Sequence, residues 1–399
     1  MTGQPDSGGP DSGDIRDATR SVARGPLLRW FLSYGTFGVP QAAGPIVFAL
    51  LAIPLTGDPG SGAAIVLAIT IAQVVGAVPV ARLGRNRNAV AFLRVLVGIR
   101  MLALAAIAVL AAAGAPFALL LAAAALAGVV SGAAFGYLRS VLNYLVAPSG
   151  MPRALGIATT LGEFTFVAAP VAASVLGTID PVFALLALSV LGTLPMILVP
   201  GIAHAKALAP VGASGRLLKP SILLWLACTM ANSAVVSSIE IGAVSLAMNY
   251  GFQPAMGFIF TVALCVASVA GGVWVSVRNR MPRRSAVLGY LALMSLGAAL
   301  IALQVSVMVT IVGAVIVGCV LAPLSTYYSL TLDALAPAHR KAELFALART
   351  MNAIGIILTS ACLSLTSLAV TQAVSTMLIV VTTIAVGIVF FAGRSSHPL

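Results

Sequence analysis

Three ionisable residues sit deep inside apolar stretches of this chain. Glu163 is near the middle of Arg153–Gly177, Glu240 is late in 221–248, and Arg349 is about two turns into 344–368. A charge at the centre of a bilayer costs about 2.5–3.5 kcal/mol on insertion scales, and is tolerated where it faces protein interior or a wet cavity. Ser233, Ser237 and Glu240 fall on one helical stripe, with Asn232 at its edge. Pro170 follows Glu163 by seven residues, close to two turns, so acid and proline share a face. Carboxylates in such places are candidates to carry a proton, Glu240 ahead of Glu163. The bland reading of each is a buried acid hydrogen-bonded to a neighbouring helix, and for Glu163 that means holding helices in register. Arg349, with Asn352 one turn on, has three readings: holding an anionic substrate, pairing with a carboxylate, or snorkelling to the surface. For Arg100, in 93–113, snorkelling is the expectation.

The elements that must position these residues are membrane helices. Apolar residues make up 60% of the 399 positions and charged ones 8%, and mean hydropathy is +1.09, which excludes a soluble domain. Twelve segments are long and apolar enough to cross: 28–53, 61–81, 93–113, 116–138, 154–178, 181–200, 221–248, 255–277, 285–303, 307–330, 344–368 and 371–392. The fold class expected is therefore all-α, an integral membrane protein of 12 transmembrane helices. Cys228, Cys265, Cys319 and Cys362 all lie inside apolar runs without a metal-ligand spacing, and read as small core residues.

The net charge of +12 does not point to nucleic acid, because the basic residues cluster in alternate loops and at span ends. With the N-terminus cytoplasmic, all 22 Lys and Arg fall on or near the cytoplasmic side, and the opposite loops carry only Asp58 and Asp180. That predicts both termini inside, in the cell (inner) membrane. Residues 1–25, rich in Gly, Pro, Ser and Asp, read as a disordered cytoplasmic tail with no removed leader, and 393–399 as a second tail. The loop 201–220 divides the spans into halves, 26–200 and 221–392. ARLGRNRN after the second span is echoed by VRNRMPRR after the eighth, and MPRALGIATTLGE by HRKAELFALARTMN. Two such halves predict a transporter with its site between them.

From Pro26 to Phe391 the chain resembles the major facilitator superfamily, and within it the bacterial drug/proton antiporter-like exporters. The loop signature GxxxDRxGRR appears at 77–86 with Arg82, Gly84 and Arg85 in place, but with Ala81 at the acidic position. The fifth-span signature survives as Ala169-Pro170, and the fourth-span arginine position is Ala124, four residues before Gly128. GEFTFVAAP at 162–170, SSIEIG at 237–242 and LAPAHRKAE at 335–343 look like a set of actinobacterial-type exporters. The resemblance implies a central cavity bordered by the seventh span. It also implies a gating loop in which Arg82 bonds helix-end carbonyls or pairs with Asp333.

Further lining is expected from Gln41, between Pro40 and Pro45, from Gln73 one turn after Thr70, and from the tenth-span run Pro323–Ser329. Tyr327 and Tyr328 in that run fit lining or interfacial anchoring. The four prolines Pro40, Pro45, Pro170 and Pro323 mark expected helix bends. No Walker loop, Gly-x-Ser-x-Gly or HExxH motif occurs, and no histidine lies within a span, so neither an enzyme nor a cofactor is expected. The reading is a monomeric secondary-active transporter in the lipid bilayer. It would drive export of a small amphipathic or apolar substrate with protons, by alternating access. An uptake carrier, or a sensor or assembly protein keeping the fold, are the alternatives. In a Cys-free background, cysteines at positions 58 and 180 are expected to react with an impermeant external thiol reagent, and one at 214 not to. Labelling at 214 in intact cells reverses the topology.

Overall fold

The computed structural model describes residues 24–56, 60–202, 219–252, 254–280, 282–337 and 340–395. Most of the tail 1–25 and of the loop 201–220, together with 396–399, lies outside the described residues. Twelve helices among the described residues are long and apolar enough to span a membrane. In chain order they are span 1, Arg24–Phe37 continued by Val39–Thr56; span 2, Gly60–Leu83; span 3, Ala89–Ala112; and span 4, Phe117–Leu145. Spans 5 to 8 are Met151–Gly177, Pro181–Leu198, Pro220–Glu240 and Phe258–Arg278. Spans 9 to 12 are Arg284–Leu303, Val307–Leu335, Lys341–Leu365 and Leu368–Ser395. Several begin where a side chain satisfies the free N–H groups of the first turn: Asn88 accepts from Val90 and Ala91, Asp180 from Phe183, and Ser306 from Val309.

Two helices break where hydropathy shows continuity. Span 7 ends at Glu240, and a separate short helix, Ala243–Asn249, follows. In span 1 the helix stops at Phe37 and restarts at Val39. Proline 40 has no N–H to donate, and the amide of Gln41 bonds back to the Gly38 carbonyl at 3.1 Å instead of that of Phe37. The Phe37 carbonyl would then be stranded in an apolar core. Arg100 of span 3 fills that gap: its Nη1 donates to Phe37 O at 3.0 Å, and its guanidinium lies 4.5 Å from the Phe37 ring centroid. Only 6% of Arg100 is exposed, so the expectation that it snorkels is wrong. The arginine is pulled inward by a carbonyl that the kink has released.

The packing repeats with the sequence. Spans 2 and 4, 3 and 4, and 3 and 6 pack together in the first group, and spans 8 and 10, 9 and 10, and 9 and 12 in the second. Each pair is the earlier one shifted by six. Apolar clusters around Trp30 and Leu138, and around Phe48 and Leu188, fill the first group; one around Trp225 and Leu324 fills the second. The groups meet through spans 2 with 11, 4 with 11, 5 with 8 and 5 with 10. Small residues let the backbones touch there: a Cβ on Gly136 would strike the Ala342 carbonyl, and one on Gly156 would strike Ser276. Of the cysteines only Cys228 is fully buried. Cys319 is exposed, because it lies on the outward side of span 10, so the core reading fails for it.

Replacing Arg100 by alanine removes the partner of a buried carbonyl, which costs about 1–3 kcal/mol. The melting temperature of the purified protein is expected to fall accordingly, with Arg100→Lys recovering only part of the loss. Exposed Arg85→Ala serves as the control and should leave melting unchanged.

Candidate functional site

Between the two groups lies a cavity of about 220 Å³ whose walls come from spans 1, 4, 5, 7, 10 and 11. Its polar lining includes Tyr34, Arg139, Asn232, Tyr328, Arg349 and Asn352, and Phe135, Phe345, Leu155 and Ala158 supply apolar surface. Three residues expected at such a site, Asn232, Arg349 and Asn352, line it together. Arg349 does not snorkel to the surface. Its Nη2 donates to Gln41 Oε1 across the two groups, and its guanidinium lies 5.0 Å from the Phe135 ring centroid. The partner is thus an amide of span 1, set at the cavity by the kink just before it.

Other expected residues stand elsewhere. Ser233 donates to the Asn352 carbonyl at 2.9 Å, binding span 7 to span 11. Ser237 is buried at 4% exposure in the same span. Gln73 lines a separate cavity of about 40 Å³ inside the first group, with Gln41, Thr70 and Arg100. Pro45, Pro170 and Pro323 sit inside continuous helices, so of the four prolines only Pro40 adjoins a helix break.

Glu163 and Glu240 are not among the residues that line this cavity. Glu240 ends span 7 and is exposed, yet it lies within range of the Glu163 charge on span 5. Glu163, midway along span 5, is half-buried. By their positions along spans 5 and 7, both acids stand on the side of the cavity away from the basic loops.

At the basic end the groups are tied together. Arg82 Nε donates to Glu343 Oε1 at 2.8 Å, and Arg340 holds the other carboxylate oxygen at 2.9 Å. Asp333, expected as the partner of Arg82, instead binds Lys341 Nζ at 2.8 Å and accepts from Asn143. The reason is register: Asp333 ends span 10 beside span 4, while span 2 lies against span 11, where Glu343 opens the first turn. Gly84 packs against Phe92 and Tyr137, and Tyr137 donates to the Ala81 carbonyl at 2.8 Å. Arg85 is exposed in the turn. Arg139 Nε donates to Ser329 Oγ at 3.0 Å, and the Arg153 N–H donates to Asn279 Oδ1 at 3.0 Å. Apart from the Arg349–Gln41 contact at the cavity, every hydrogen bond between the groups among the described residues lies at this end. The basic end is closed.

Arg139, Asn143 and Glu343 were not singled out by sequence reading. Arg139 lies where helical pattern alone places the end of span 4, so it passes for an ordinary loop cation. Glu343 occupies the repeat position of Arg153, and that sign reversal between halves was the available signal.

The Major Facilitator Superfamily profile matches residues 30–360. No curated protein matches the chain in sequence. Among solved structures, a bacterial homologue of the iron transporter ferroportin in its outward-facing state superposes with a TM-score of 0.77 at 16% identity, covering 92% of this chain and 98% of that one. The human organic anion transporter MFSD10 gives 0.70 at 13% identity, covering 92% and 99%. The E. coli fucose:proton symporter gives 0.66 at 12%, covering 91% and 99%.

Removing the Glu343 charge leaves Arg82 and Arg340 facing each other, whereas removing Arg82 leaves Glu343 with Arg340. A single cysteine at Leu155, on the cavity wall, is therefore expected to label several-fold faster from the basic side in Glu343→Gln than in the parent. Arg82→Ala should give a smaller rise. Equal labelling in all three means that this ion pair does not hold the end shut.

Proposed function

The chain belongs to the major facilitator superfamily, and from that premise we propose that it exports a small amphipathic or apolar compound in exchange for protons. A transporter of this fold exposes one central cavity alternately to the two sides. The observation that carries the proposal is the cavity between the groups, tied shut at the basic end, with Glu163 and Glu240 on its other side. With the basic loops cytoplasmic, this arrangement fits an outward-facing state in the inner membrane.

Within that cycle Glu240 is the better proton carrier. It lies at the outer end of span 7 and is solvent-accessible, so a proton arriving from outside meets it early. Glu163 lies midway along span 5, which packs against span 8 of the other group, and this suits a role in keeping the two spans in register. Arg82, held by Glu343, sets the balance between the two facing states and makes no substrate contact. Arg82→Ala should therefore change the transport rate more than the affinity. The antiporter-like subtype rests on the loop at 77–86 and on Ala169-Pro170, with Glu343 supplying across the halves the carboxylate that the loop lacks at Ala81.

Glu240→Gln keeps the shape and fixes the neutral form. It is expected to exchange substrate down its gradient while losing proton-driven accumulation. Glu163→Gln should mainly lower the melting temperature. The check is gradient-driven transport in proteoliposomes, normalised to folded protein. If Glu240→Gln still concentrates substrate and folded Glu163→Gln cannot, the two roles are exchanged.

A further inference from the structure

The central cavity carries two cations and no anion. Arg139 and Arg349 line it, and no Asp or Glu does. Both guanidiniums lie close enough to Tyr34, which also lines the cavity, to act on it electrostatically. Arg139 is 3% exposed and its bonds run to the floor: Nε to Ser329 Oγ, Nη1 to Asn143 Oδ1 at 3.3 Å, with the plane 4.4 Å from the Phe345 ring centroid. Its remaining nitrogen, Nη2, is buried with no partner. The nearest acid, Asp333, is already engaged by Lys341 and Asn143. Arg349 bonds only to the uncharged Gln41 amide and a ring face. Buried cations are ordinarily paired, and a guanidinium fork with free N–H groups matches a carboxylate or sulfonate.

Asn232 Oδ1, Thr326 Oγ1 and Tyr328 OH, on the span 7 and span 10 walls, are likewise buried without partners. Phe135, Phe345, Leu155 and Ala158 complete an apolar surround. Taking the transporter reading as given, we infer that the substrate is an organic monoanion, a carboxylate or sulfonate on an apolar body, whose charged head lies between Arg139 and Arg349 beside Tyr34. Glu163 and Glu240 do not line this cavity, so proton binding and anion binding occupy separate places. An anion leaving and a proton entering move charge across the membrane in the same sense, and an inside-negative potential drives both.

The test uses three probes of one shape: 1-naphthoate, 1-naphthamide and 1-naphthylmethylammonium. Binding to the purified full-length protein is measured by equilibrium dialysis, and flux in proteoliposomes. Naphthoate is expected to bind at least about ten-fold more tightly than the amide, by analogy with other sites that pair a buried charge. Arg349→Gln and Arg139→Gln should each remove that preference, and Arg349→Lys should keep part of it. Melting curves without probe identify variants that have not folded, and Arg349→Lys serves where Arg349→Gln is one of them. Amide or ammonium binding as tight as naphthoate, naphthoate binding unchanged by both arginine variants, or no binding of any probe overturns the inference. Naphthoate held through the arginines but not carried across the bilayer keeps the anion site and refutes the transporter reading. Flux of the ammonium probe alone does the reverse.

Discussion

A guanidinium inside a bilayer cannot shed its charge and must find acceptors within the protein, and much of this architecture follows from where its arginines find them. Arg29 donates to the Ile197 carbonyl and Arg94 to that of Val199, so two arginines close the end of span 6, where Pro195 lies in the last turn. Arg100 takes the carbonyl freed at the span 1 kink. That kink turns Gln41 toward Arg349, and Arg349 is thereby held at the cavity and not drawn to the surface. Take away the Arg100–Phe37 bond and the break in span 1 loses its support, and with it the Arg349–Gln41 link between the groups at the cavity. A backbone defect, a buried cation and the central cavity are one connected arrangement.

The two halves repeat their packing but not their charges, and the difference decides what each seam can do. Where span 2 meets span 11, a carboxylate receives two arginines. At the equivalent seam, span 5 meets the end of span 8. Arg153 stands there in place of the acid, and the contact is a backbone N–H to the Asn279 side chain, with Asn279 in the left-handed region at φ 45°. The first seam is held by charge and can be broken by removing it. The second is held by that backbone contact and by close glycine–serine packing at Gly156 and Ser276, with no ion pair among the described residues. A rocking motion needs one seam to part while another stays closed. The chemistry places the releasable contact on the side of spans 2 and 11.

The spans were legible because hydropathy over some twenty residues is a local property, and the observed ends differ from the expected ones mostly by a few residues. Span 4 ran on to Leu145 because Arg139 and Asn143, polar enough to look like a loop, face the other group, where Arg139 bonds Ser329 and Asn143 bonds Asp333. The break before Val39 was legible only as a proline pair, since which proline breaks a helix depends on whether another chain segment takes the freed carbonyl. Arg82 was legible as a gating residue, but its partner was not. Glu343 is 261 positions away, and choosing it over Asp333 needs the knowledge that span 2 packs on span 11. Ser233 and Asn232 show the same limit at finer grain. They are adjacent, so they point about 100° apart, and only the neighbours decide which of them reaches the cavity.

Depth orders the remaining polar groups, and the order bears on coupling. From the open side inward come Glu240, then Glu163, then Arg349 with Gln41, then Arg139, and last the Arg82–Glu343 pair at the closed end. Glu163 acts on the charge of Glu240, and in the proposed cycle protonating one acid would ease the approach of spans 5 and 7. The arginines lie on spans 4 and 11, which belong to opposite groups and pack closely through Gly136. A group bound between them bridges the very contact that must part when the basic end opens. In the proposed cycle, then, protons act toward the outer side and the ligand acts at the arginines toward the basic end. The two events are linked through rigid helices, with no need for the proton and the ligand to compete for one residue.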